Sequence, residues 1–444
     1  MTDRNEKPSN DTLPLVLFIL SIVTATFVYG YAVGRHKVFP FRWVHSVEKQ
    51  LPRLRSKADD PRFRPHHLFP AWHKTSGVRT HDRDAIQPGV VLLTGYWSSM
   101  DWKPGIRLID RNGAVLHEWE TDPARIWPTS PHPDRYAGAK NTSQNYVHGS
   151  YLFENGDVIF SIEYMGLVRM NAQGEVIWTV PFRTHHSVTR DEDGNFWVCG
   201  VKWIENNKAG WARLAGYPGM RPPLAEDFAL CVTEDGEIIR KISILKALYE
   251  AGCERLIWQR KAGRREDVLH TNDVEPLPAH LADAYPLFEA GDLAISCLFI
   301  STVFVMDSQT GKIKWLCDEF LKQHDPDFVG DGLIQVFDNK TDYGNGAFLG
   351  GTEIVLVRPE TGERTVRHPR TPEQRFYTKL GGKVQALPNG NLLITEARRA
   401  RIFEVTPAGE TAWEWIAEKY NEELVPEVLE GTFYDLTPET IAAW

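Results

Sequence analysis

The 444 residues carry a net charge of −9, which argues against general nucleic-acid binding, because phosphate contacts need clustered Lys and Arg. The apolar content suits a globular protein, and 15 Trp with 34 Gly and 28 Pro favour an all-β architecture of bulky strand formers and turns. The five cysteines (Cys199, Cys231, Cys253, Cys297 and Cys317) are odd in number and lack CxxC spacing, so neither a metal site nor a dense disulfide framework is signalled.

After a polar tail (residues 1–12), the run from Leu13 to Gly34 is uncharged and long enough to cross a bilayer core as a helix. Pro14 stands near its start, where a missing N–H costs little. The length of the run, a preceding segment that is not basic and the direct passage from Tyr29-Gly30-Tyr31 to Arg35 and Lys37 favour a retained single-pass anchor over a cleaved signal peptide. Arg4 and Lys7 precede the helix, whereas Arg35, Lys37, Arg42, Lys49, Arg53, Arg55 and Lys57 lie beyond it, and the positive-inside rule then places the large C-terminal region in the cytoplasm. With Phe39, Phe41 and Trp43, this basic segment could also lie on anionic lipid. Residues 35–85, rich in Pro, Arg and His and without periodicity, read as a juxtamembrane linker that partly packs on the domain.

From residue 86 to 444 one unit recurs, of strands separated by Asn-Gly or Asp-Gly turns, with a fourth strand often carrying Trp. The copies contain Asp110, Asn112-Gly113 and Trp119; then His148, Asn155-Gly156 and Trp178; then His185-His186, Asp193-Gly194 and Asp235-Gly236. They continue with His270, Gly291-Asp292, Asp307 and Trp315; with Gln323-His324, Asp331-Gly332 and Gly362; and with Asn389-Gly390, Gly409 and Trp413. Such turns suit tight hairpins, and six four-stranded units predict a six-bladed β-propeller preceded by a single N-terminal transmembrane helix. Insertions fall near 203–228, 244–268 and 275–290, and the middle one has a helical pattern. The fourth-strand tryptophans read as packing residues between blades.

Histidine placement does not look like packing. His148, His186, His270 and His324 each open a copy, just before its first strand. The innermost strands of a propeller line the axis, so four distant histidines are expected to share one pocket. One such His alone would read as a turn or cap residue.

Three blocks carry a family resemblance: His270-Thr-Asn272-Asp273-Val; Gln323-His324-Asp325-Pro-Asp-Phe with Phe337-Asp338-Asn339 beyond it; and Leu387-Pro-Asn-Gly390-Asn with Arg401-Ile-Phe-Glu-Val-Thr-Pro. In order and spacing, over residues 90–420, they resemble the bacterial arylsulfate sulfotransferase family. The resemblance implies a six-bladed propeller that moves a sulfuryl group from an aryl sulfate ester to a phenolic acceptor. Transfer would pass through a sulfohistidine, with no cofactor or nucleotide donor. It puts the nucleophile on His324 and matches His270, Asn272 and His186 to further catalytic positions; His148, by its equivalent place in the repeat, is expected in a substrate-binding role. The chemistry is coherent. A neutral imidazole attacks sulfur in line with the leaving oxygen, a second His moves the proton, and Asn and cations stabilise the sulfonate. The family is generally exported and long domains translocate despite flanking charge. A propeller on the periplasmic side of the inner membrane is therefore expected, with the cytoplasmic side left open by the charge pattern.

The sequence departs from the family pattern at Ile295-Ser-Cys297-Leu298-Phe299, where Leu298 occupies the position of an expected Arg. Arg398, Arg399 and Lys383 are the candidate replacements. Two rival readings stand beside this one: a catalytically inactive membrane-tethered propeller serving as a binding or scaffold module, and a quinone-cofactor dehydrogenase. The second rests on Met306-Asp307 through Gly311 to Trp315, which resembles one tryptophan-docking repeat and ranks last because the repeat is clean only once.

Overall fold

The computed structural model describes residues 12–36, 39, 67–132, 145–204, 217, 220, 223–260, 266–342 and 344–444. Residues 1–11, 37–38 and 40–66, and with them most of the expected tail, linker and flanking charges, lie outside the described residues. The chain divides into two compact units, Met1–Arg64 and Pro65–Trp444.

In the first unit a 25-residue helix, Thr12–His36, carries no acidic residue in its first turn and no basic one until Arg35 and His36 in its last. At 1.5 Å per residue it spans about 37 Å, more than a bilayer's hydrocarbon core. Length and composition suffice for crossing a membrane, a property that a retained anchor and a signal sequence share.

The second unit is a six-bladed β-propeller. Five blades hold four antiparallel strands and the sixth holds five, and a short two-stranded sheet stands apart from them. The second to fifth blades are continuous in sequence: 147–180, 184–243, 271–317 and 324–368. The first is composite, because its innermost strand is Glu430–Tyr434, hydrogen-bonded along Val90–Trp97 with Glu430 opposite Thr94 and Tyr434 opposite Val90. The sixth (383–416) gains an outer fifth strand from Gly77–Thr80, which pairs with Thr411–Ile416. Chain ends thus close the ring twice, which protects the edges of the first and sixth blades. The stretch expected to be linker contributes this outer strand, and also Leu68–Pro70, which pairs with Leu424–Pro426.

Burial explains the strand sequences. Side chains alternate across a strand, and both faces of each blade are covered by neighbours, so central strands read as unbroken apolar runs. In Val90–Trp97, Val91 and Leu93 pack with Leu393, Ile402 and Trp413 of the sixth blade, whereas Val90 and Leu92 pack with Val158 and Phe160 of the second. One hydrophobic cluster occupies each of the six seams. The fourth-strand tryptophans reach across these seams: Trp178 Nε1 donates to the Glu234 carbonyl (2.9 Å) and Trp413 Nε1 to that of Arg111 (2.7 Å). The insertion between the third and fourth blades carries helices Ile244–Glu250 and Glu254–Arg260, with Ile244, Leu245 and Leu248 buried. All five cysteines are free thiols.

Candidate active site at the propeller mouth

Every innermost strand begins at one face of the ring, and four of them are bulged there. The pairing slips between Val147 and Ser150, between His185 and Val188, between Thr271 and Asp273, and between His324 and Asp327. A bulge re-aims side chains at the end of a strand. These bulges gather the histidines, but not in one backbone setting. His148, His185 and His324 each precede a residue of positive φ (Gly149, His186 and Asp325), whereas His186 and His270 adopt positive φ themselves, at +58° and +51°. Gly149 has φ +87°, and a Cβ there would meet the His186 carbonyl oxygen at 1.7 Å. Only glycine lets the second and third blades approach this closely.

The rings form a connected arc. His148 and His186 lie 3.9 Å apart between centroids, His186 and His270 5.0 Å, and His185 and His270 6.2 Å. Phe299 stacks on His270 at 4.7 Å. On the other side Tyr146 lies 5.6 Å from His148 and 4.4 Å from His67. His67 is held by Glu427 (3.0 Å), which Arg398 also contacts (3.3 Å). Burial raises the pKa of Glu163, which accepts a hydrogen bond from Tyr146.

Two environments separate the histidines. Burial lowers His148 and His186 well below the ordinary imidazole value, His185 to about 3 and His324 to about 4, so all four are neutral at pH 7. His270 is the exception. Burial disfavours its charge, but Asp267, with an ion pair and hydrogen bond to Nδ1 at 2.7 Å, and the more distant Glu163 and Asp227 outweigh it and raise the pKa. Asp267 is lowered by the same contact despite its own burial.

The His324 tautomer is fixed from outside the ring. Asn339 Nδ2 donates to the carbonyls of Thr378 (3.0 Å) and Gly381 (2.8 Å), which turns its Oδ1 toward His324 Nδ1 at 2.6 Å. An amide oxygen only accepts, so Nδ1 carries the proton and Nε2 presents its lone pair. The Gly381 N–H points at that lone pair from 3.3 Å. Asn272 Nδ2 donates to the Gln323 carbonyl (2.8 Å), fastening the fourth blade to the residue before His324. Among the described residues, His148 Nδ1, His185 Nε2, Asn272 Oδ1 and the Tyr96 hydroxyl find no hydrogen-bond partner although they are buried. Such atoms each cost roughly 1–3 kcal/mol, which a polar ligand at the axis would offset.

The cations expected from the sixth blade take different places. Arg398 is close enough to His324 to help depress its pKa while pairing with Glu427. Arg399 pairs with Glu396 (3.3 Å) and lies 4.0 Å from the ring centre of exposed Trp72. Lys383 faces farther along the channel, bonded to Asp325 (3.0 Å) and near Glu430 (3.6 Å). There, burial also raises the pKa values of Asp273, Glu275, Asp327 and Glu430. Leu298 is buried, with its N–H on the His270 carbonyl (3.1 Å). No group of three or more His, Cys, Asp or Glu among the described residues is arranged to hold a metal ion.

Sequence reading missed His185, His67, Tyr146 and Asp267. An Asp three residues before His270 was a readable signal. Tyr146 directly precedes the strand that holds His148, whereas His67 is placed by the pairing of Leu68–Pro70 with Leu424–Pro426, which leaves no local trace.

No curated protein matches the sequence. Among solved structures, a protein of unknown function from Bacteroides caccae is 12% identical, covering 77% of this chain and 99% of that one with a TM-score of 0.48. A catalytically inactive virginiamycin B lyase from Staphylococcus aureus with quinupristin is 14% identical, covering 79% and 87% with a TM-score of 0.38. The WD40 β-propeller domain of Doa1 is 10% identical, covering 82% and 94% with a TM-score of 0.40. No chemistry carries over from these three. The family model described as arylsulfotransferase (ASST) matches residues 149–418, more than half of the sequence and a span that includes His185, His186, His270 and His324, and the chain therefore belongs to the arylsulfotransferase family.

Proposed function

We propose that the mouth transfers a sulfuryl group from an aryl sulfate ester to a phenol in two in-line steps. The observation that carries this reading is the fixed His324 tautomer: a buried, neutral imidazole whose Nδ1–H is committed to Asn339, which leaves the unprotonated Nε2, met by a long contact from the Gly381 N–H, as the nucleophile. Nε2 attacks sulfur, the N–S bond forms as the S–O(aryl) bond breaks, and the leaving phenolate takes a proton from His270. In the second step the acceptor phenol returns a proton to His270, its oxygen attacks sulfur, and the N–S electron pair goes back to Nε2. A base positioned in this way contributes typically about 10²–10⁴-fold. His148 and His186, uncharged and able to donate N–H groups, serve the sulfonate oxygens together with the Gly381 N–H and Asn272. Splitting one hard displacement into two is the usual gain of a nucleophilic side chain.

We further infer that the Thr12–His36 helix is retained as a single-pass anchor with the propeller on the periplasmic side. Retention is supported by the helix's length and by the basic residues directly beyond it; the periplasmic side is supported by the exported habit of similar enzymes, against the charge pattern. Protease shaving of intact spheroplasts tests this, and protection of the propeller would overturn the periplasmic assignment.

For the chemistry, the full chain in detergent is offered a chromogenic phenyl sulfate and a phenol acceptor beside a His324→Asn variant. Phenol release by the wild type and not the variant is expected. Release by neither, across acceptors and pH, leaves the binding-module reading. Equal release by both removes His324 from the role of nucleophile.

A further inference from the structure

Thr184–Arg190, the innermost strand of the third blade, carries His185 and His186 in succession. Neighbours on a regular strand point to opposite faces. Here the pairing slips between His185 and Val188, and His186 adopts φ +58°, which brings the two rings together. Their Nδ1 atoms lie 2.7 Å apart, and the ring planes meet at 83°. Burial keeps both imidazoles neutral at pH 7, so each carries one proton and one lone pair. One Nδ1 must therefore donate and the other accept.

The two assignments are not equivalent. His185 is 1% exposed, and its Nε2 is buried without a hydrogen-bond partner among the described residues. If His186 donated, the His185 proton would sit on that Nε2, as a buried N–H with no acceptor. If His185 donates, its Nε2 keeps only an unmet lone pair, and orphaned N–H groups are the rarer of the two in folded proteins. We propose that His185 is a positioning residue, donating from Nδ1 to His186 Nδ1 and so fixing the His186 proton on Nε2. With Nδ1 engaged, Nε2 is the nitrogen of His186 left to meet a ligand, and it meets a sulfonate oxygen as a donor. His324 and His186 are thus set in opposite ways. Asn339 accepts from His324 and leaves a lone pair on Nε2, whereas His185 donates to His186 and leaves a proton there. The ligand named here rests on the sulfotransferase reading; the tautomer does not, and it is measured without turnover.

Nitrogen-15 NMR of the histidine-labelled full chain in detergent reads which ring nitrogen carries the proton, with His186→Asn identifying the His186 signals. A single tautomer protonated on Nε2 is expected, and a proton on Nδ1 overturns the proposal. His185→Phe keeps an aromatic ring and removes the donor. His186 should then show both tautomers, and benzenesulfonate, a ligand that cannot pass its sulfur group to an acceptor, should bind roughly 2- to 10-fold more weakly by calorimetry, as for the loss of one hydrogen bond. His185→Leu answers the same question if His185→Phe does not fold. An unchanged single tautomer in these variants removes His185 from the role. A wild type with the proton on Nε2 that neither binds benzenesulfonate nor transfers sulfuryl groups overturns the sulfotransferase reading and leaves the His185–His186 assignment standing.

Discussion

Asp267 Oδ2 lies 2.7 Å from Nδ1 of His270, and this contact sets His270 apart from the four neutral imidazoles around it. The proton-moving role proposed for His270 depends on the pair, so removal of the pair should be visible in a pH profile. His270 must be protonated to aid departure of the phenolate, and donor kcat/KM should therefore fall as pH rises through its raised pKa. Asp267→Asn removes the largest force that raises this value. The alkaline limb should move to lower pH by about one unit or more, with kcat/KM at pH 8 falling at least about tenfold. An unmoved limb would show that another group delivers the proton.

Asn339 holds His324 Nδ1 at 2.6 Å, and its own NH₂ group is tied to two carbonyls. Asn339→Ala leaves the imidazole free to exchange tautomers and should cut the rate of sulfohistidine formation by roughly 10- to 100-fold, read by rapid quench and mass spectrometry. Loss of the buried hydrogen bonds should also lower stability by roughly 1–3 kcal/mol. A variant with normal sulfation and lowered stability would reduce Asn339 to a packing role.

The neutral histidines make the fold sensitive to acid. A group whose pKa is lowered on folding stabilises fully above its unfolded value, near 6.5, and that contribution is lost as pH falls toward the folded value. For His324 the window runs from 6.5 to about 4 and for His185 to about 3. Each should cost about 2 kcal/mol by pH 5. His270 acts in the opposite sense: its raised pKa adds stability below 6.5 that disappears as pH rises through the folded value. The buried carboxyls raised along the channel (Asp273, Glu275, Asp327 and Glu430) also act in that opposite sense, so the contribution of His324 is read as a difference: from pH 7 to 5 the wild type should lose about 2 kcal/mol relative to His324→Asn. An unchanged difference between the two proteins would mean that His324 is already protonated in the folded protein.

The six blades were legible because Asn-Gly and Asp-Gly turns between short strands recur within the copies, and the convergence of His148, His186, His270 and His324 on the axis was an expectation from their place in the repeat. Ring closure was not. Glu430–Tyr434 pairs with Val90–Trp97 across more than 300 residues, and a five-residue strand carries no mark of its distant partner. The place of Lys383 was hidden for a related reason: its ion pair is with Asp325 of the neighbouring fifth blade, and the first residue of a strand carries no mark of a partner in another blade.

Gly149 concentrates this dependence of chemistry on backbone. Its φ of +87° and the 1.7 Å approach of a built Cβ to the His186 carbonyl leave no room for a side chain. Gly149→Ala must shift either the second blade's bulge or the third's, at a cost above about 2 kcal/mol. Either shift separates His148 from His186, whose rings now lie 3.9 Å apart. Donor kcat/KM should therefore drop even at temperatures where the variant is fully folded. Gly174→Ala, at a turn with φ +78° and open space around it, serves as the control for positive-φ strain alone. It should lose stability without losing activity. Equal losses of activity in the two variants would remove the seam between the second and third blades from any part in building the site.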